Sequence, residues 1–126
     1  MNGKLLLFGF DDLPAVLAVA AAVTPMGIEA VPVSRREYDR PLEVLAGLVS
    51  GGGASASAPG PLGGRMIVLC GLEDQLDTVL PALAKAGAGP ECLKAVLTAH
   101  NRCWSARKLF TELDRERRAF QRGGRP

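Results

Sequence analysis

The sequence is short of the residues that do chemistry. Its 126 residues include one histidine, one tryptophan and one tyrosine, and aromatics make up only 5%. Such a chain must build its core from leucine, valine and alanine. Three cysteines cannot pair completely, and Cys70, Cys92 and Cys103 fit neither a disulfide framework nor Cys-x-x-Cys metal spacing. That pattern points to a reduced, cytoplasmic compartment and to no metal. There is no P-loop and no Gly-x-Gly-x-x-Gly turn after a strand, so nothing calls for a nucleotide or other cofactor. The longest apolar stretch, Leu13–Ile28, follows Asp11-Asp12, is broken by Pro25 and Gly27, and is too short to span a bilayer. A single early lysine with no small-residue cleavage site reads against a signal peptide.

What is present is an ordinary globular balance, 48% hydrophobic and 22% charged, which predicts one domain over 1–126. The formal charge of +2 is unevenly spread. Residues 102–126 carry eight Lys/Arg against Glu112, Asp114 and Glu116, a balance of +5 that leaves −3 for residues 1–101. A basic end can meet nucleic acid or an acidic partner, but it also suits a solvated helix C-terminus. No aromatic interleaves among these arginines to stack on bases, which reads against nucleic acid.

"KLLLFGF" (Lys4–Phe10) is a continuous apolar run, the mark of a strand buried on both faces. Asp11 or Asp12 then offers a helix cap, with Pro14 in the first turn of a helix running to about Thr24. "IEAVPV" (Ile28–Val33) reads as a strand whose Pro32 belongs at a sheet edge. Asp39 should cap a second helix ending near Ser50. Residues 51–64 read as a flexible Gly/Ser/Ala linker. The pattern then restarts over 65–122: "RMIVLCG" as a strand, a helix from Glu73 to about Ala86, "KAVLT" as a strand, and a helix capped by Ser105 with apolar positions at Leu109, Leu113 and Phe120. Residues 123–126 read as a disordered tail.

The halves 1–50 and 65–122 resemble each other. "LLLFGFDD" aligns with "MIVLCGLED", and Tyr38 falls on Trp104, each directly before a helix cap. An internal duplication of a β-α-β-α unit predicts an α/β fold: a four-stranded parallel sheet, strand order 2-1-3-4, with helices on both faces. Its ligand crevice would lie outside the carboxyl ends of the strands, between the first and third.

The side chains expected at that edge are Asp12, Ser34, Thr98, Asn101 and Trp104, together with Asp11, Glu73 and Asp74. Acids there can hold a cation or simply cap helices, and capping is the plainer reading. A paired aspartate and a late threonine are reminiscent of phospho-receiver domains, but Cys70-Gly71 stands where the acceptor aspartate would be. The segment "LTAHNRCWS" (Leu97–Ser105) gathers the only histidine, the only tryptophan and a cysteine. Cys103 with His100 is a candidate nucleophile pair at a helix start, without a visible orienting carboxylate or oxyanion hole.

"KAVLTAHNRCWSARKLFTELDRE" resembles a small bacterial family catalogued as a domain of unknown function, number 3783 in that series. The shared pattern is Lys94, Thr98, Asn101, Trp104 and Ser105, followed by an amphipathic helix. The chain departs from a capping box at Lys108, where a glutamate would complete it. The resemblance implies the fold and the importance of the loop, and no activity. The expectation is therefore a cytoplasmic binding or regulatory module for a small molecule or protein. An enzyme using Cys103 and His100, and a nucleic-acid accessory protein working through the basic helix, stand as alternatives.

Overall fold

The computed structural model describes residues 3–10, 12–34, 37–47, 64–89 and 92–123, with side chains up to Ala119. The predicted linker (apart from Gly64), residues 124–126, the Phe120 side chain and Asp11 lie outside the described residues. Four strands, β1 (Lys4–Phe8), β2 (Glu29–Pro32), β3 (Met66–Cys70) and β4 (Leu93–Val96), form one sheet in the order β2-β1-β3-β4. The helices are α1 (Leu13–Val23), α2 (Leu42–Leu45), α3 (Leu76–Lys85) and α4 (Ala106–Gly123).

The predicted order holds, but the sheet is mixed rather than parallel. β1 runs parallel to β2, and β3 parallel to β4, whereas β1 and β3 pair antiparallel, Lys4 against Cys70 and Phe8 against Met66. The repeated β-α-β-α unit was the ground for expecting a parallel sheet, and the continuous apolar runs marked strands buried on both faces. Here the same pattern arises because both central strands are covered on both faces. Leu5, Leu7, Ile67 and Leu69 pack with Val19 and Val23 of α1 and with Val79 and Leu83 of α3. Leu6, Phe8, Met66, Val68 and Cys70 pack on the other face with Tyr38, Leu42 of α2, and Leu109 and Phe110 of α4. Pro32 sits on the edge strand, where its missing N–H breaks no inner ladder.

Two helix starts differ from expectation for one reason. Asp12 occupies the cap position of α1 without bonding its amides; its carboxylate instead meets Arg65 at 2.9 Å, at the start of β3. Asp39 does not cap α2 either. That helix begins only after Pro41, and the amides of Leu42 and Glu43 donate to the carbonyls of Trp104 and Arg102, both at 2.8 Å. With those donors already satisfied, Asp39 is left to pair with Arg107 at 3.1 Å. Each carboxylate is thus drawn to an arginine of the other half of the chain. α3 also starts later than expected, behind a tighter 3₁₀ turn at Glu73–Gln75.

The end of β1 is pinned by Tyr38. Its ring is buried edge-on against Phe8, centroids 5.6 Å apart, and its hydroxyl accepts the Gly9 N–H at 2.8 Å. Gly9 has φ 79°, and a Cβ there would lie 2.4 Å from the Gly64 carbonyl oxygen. Gly9→Ala is therefore expected to lose more than about 2 kcal/mol, combining the left-handed backbone penalty with a clash against main chain. Tyr38→Phe, which only strands the Gly9 N–H, should cost about 1–2 kcal/mol. Urea melts of the two variants check both the order and the sizes.

The candidate functional site: the loop between β4 and α4

Antiparallel pairing of β1 with β3 removes the single carboxyl edge on which the predicted crevice depended. The carboxyl ends of β1 and β2 lie at one end of the sheet, and those of β3 and β4 at the other. Asp12 and Ser34 therefore stand at the opposite end from Thr98, Asn101 and Trp104, separated by the length of β4, about 10 Å or more. Thr98, Asn101 and Trp104 do come together, in the loop 98–105.

Asn101 organises that loop. It is the one buried polar residue among those described, 8% exposed, and its amide is matched on both sides. Oδ1 accepts the Thr98 N–H at 2.9 Å, while Nδ2 donates to the Val96 carbonyl at 3.1 Å. The Thr98 hydroxyl accepts the Asn101 N–H at 3.3 Å, and the Asn101 carbonyl accepts the Trp104 N–H at 2.9 Å. Ser105 then caps α4 as expected, its Oγ accepting the Lys108 N–H at 3.0 Å. Lys94 ties down the other end of β4, its ammonium donating to the carbonyls of Gly89 and Cys92. Lys94, Thr98, Asn101 and Ser105, four of the five residues of the family pattern, thus have structural work.

Trp104 is half-buried against the core cluster that includes Tyr38 and Leu42. His100 meets it edge-on with ring centroids 5.2 Å apart, and Lys108 Nζ lies 4.7 Å above its ring. The lysine that spoils the capping box therefore makes a cation–π contact one helical turn on from the tryptophan. That i, i+4 spacing was the signal available for adding Lys108 to the site. Arg102 pairs with Glu43 at 2.7 Å, closing the loop against α2.

The cysteines do not converge. Cys103 and His100 are both exposed, with no hydrogen bond between them. Cys70 is buried, and among the described residues no three His, Cys, Asp or Glu side chains gather as a metal would require. Likewise among them, no helix is long and apolar enough to cross a membrane. On α4, Arg115 pairs with Glu112, and Arg117 and Arg118 pair with Asp114, which damps much of the positive field there.

Burial pushes the Cys70 thiol up to about 11, with the Lys4 charge working against the shift and Glu73 adding to it. The folded protein then holds this proton while the unfolded chain, at 9.0, releases it. Stability is full below pH 9 and falls as pH rises from there toward 11, by up to about 1.4 kcal/mol per pH unit. Cys70→Ala should flatten that decline in melts run from pH 8 to 11. Asn101→Ala, which strands the Thr98 N–H and the Val96 carbonyl, should cost about 2–4 kcal/mol, and Ser105→Ala about 1 kcal/mol, by urea denaturation.

Residues 65–120 match a family described as a domain of unknown function (DUF3783). No curated protein and no solved structure matches the chain. The matched segment runs from β3 through α3, β4 and the Asn101–Trp104 loop into α4.

Proposed function

We propose that the chain is a binding or regulatory module that recognises an acidic protein segment through the loop 98–108, with Trp104 as its contact residue. The observation that carries this reading is the half-exposed tryptophan, held on a hydrogen-bonded loop between the His100 ring and the Lys108 ammonium. Tryptophan is enriched at energetically dominant contact positions, and a locked loop loses little entropy on binding. Arg102 and Arg107 already face Glu43 and Asp39, whereas Lys108 has no carboxylate partner among the described residues. An incoming carboxylate would find that charge beside the indole. In this reading Thr98 and Asn101 position the loop, and Asp12 and Ser34, at the far end of the sheet, take no part in it.

A catalytic role for Cys103 draws no support from hydrogen bonding: among the described residues no side chain bonds to its thiol. Three free cysteines fit a reduced, cytoplasmic setting. Two parallel strand pairs joined at their centre suit an origin by duplication.

Trp104 is the only tryptophan, so its emission reports occupancy of the loop directly. Titration with an oligoglutamate peptide should shift or quench that emission in a salt-sensitive way, while oligolysine should not. Lys108→Glu should abolish the response with the melting temperature nearly unchanged. No response to oligoglutamate, or equal responses to both peptides, would sink the proposal.

A further inference from the structure

Among the described residues, the large apolar side chains left exposed lie on the face carrying α1 and α3. From Leu13 to Val23, α1 contains only leucine, proline, alanine and valine. With Val19 and Val23 turned to the core, Leu13, Leu17 and Ala21 form an outward stripe at i, i+4 and i+8, flanked by Pro14 and Ala18. Leu13 and Leu17 are 66% and 57% exposed, and Leu80 of the adjoining α3 is 37% exposed. α3 adds Pro81 and Ala84 to this layer, with charge only at its ends: Glu73, Asp74 and Asp77 before it and in its first turn, Lys85 in its last.

We propose that this layer is the interface of a twofold homodimer in which α1 lies antiparallel on α1 of a second copy, and α3 antiparallel on its own counterpart. The charge pattern selects the occupant and the direction. α1 brings no charge to the interface, so self-pairing opposes no like charges along it. Asp77 and Lys85 stand four residues either side of Pro81, so a dyad crossing α3 there sets each Asp77 against the partner copy's lysine. The same axis crossing α1 at Leu17 sets leucine on leucine and Leu13 against Ala21, whose small side chain admits close approach. Parallel self-pairing would oppose acid to acid instead. Two helices about 15 Å long and about 10 Å wide give a footprint of a few hundred Å² per copy, the size of a weak association.

Sedimentation equilibrium of the intact chain from about 1 to 200 µM tests this. The expected result is a monomer–dimer equilibrium with a micromolar Kd. Leu17→Glu should weaken it at least tenfold with unchanged circular dichroism, because that side chain already faces water. Lys85→Glu should also weaken it, and the charge-swapped pair Asp77→Lys with Lys85→Glu should restore it. A monomer at 200 µM, or a dimer indifferent to Leu17→Glu, overturns the interface. A dimer sensitive to Leu17→Glu but not rescued by the charge swap overturns the antiparallel arrangement.

Discussion

The antiparallel contact between β1 and β3 is the constraint from which the rest of this structure follows. Leu5 to Phe8 and Met66 to Cys70 are all buried, so this central ladder is dry on both faces. It reverses one strand pair relative to the other. The loop after β4 therefore reaches back toward the segment before α2, and the two meet where Pro41 bridges Ser105. In an all-parallel sheet these connections would share one end and compete for the same crevice. Here they lie across one sheet face and complete each other's main-chain hydrogen bonding.

That exchange ties the loop 98–105 to the segment before α2 through main-chain hydrogen bonds. Its outward carbonyls, those of Arg102 and Trp104, cap the short α2 helix, and Arg107 N–H donates to the Tyr38 carbonyl. Asn101 satisfies the inward-facing groups. Once the backbone is closed in this way, the side chains of His100, Cys103 and Lys108 are left to the surface, and Trp104 stands between core and solvent. The loop is both a structural joint and a display.

Much of this was legible in the residues. The strands, their order, the edge position of Pro32 and the Ser105 cap all follow from local patterns that tertiary contacts reinforce. Strand direction was not legible, because Leu5 to Phe8 are apolar throughout and would be equally buried beside a parallel or an antiparallel neighbour. The roles of Asp12 and Asp39 were hidden for a related reason. A carboxylate before a helix reads as a cap by local rules, but Arg65 and Arg107 lie 53 and 68 residues away. Placing Asp12 and Ser34 in one site with Trp104 inherited the error in strand direction. Thr98, Asn101 and Trp104 survived it because they are close in sequence.

The ladder register also shapes how the chain must fold. Within each strand pair the partners are about 25 residues apart, a span short enough to close early around one crossover helix. Across the β1–β3 ladder they are about 60 apart, and closing that span must wait until the intervening chain has been searched. If the two halves form first and dock at this ladder, the apolar faces of β1 and β3 stay exposed until they meet. Loss of side-chain volume at Leu6 or Val68 would slow folding, whereas the same loss at Leu109 would chiefly quicken unfolding.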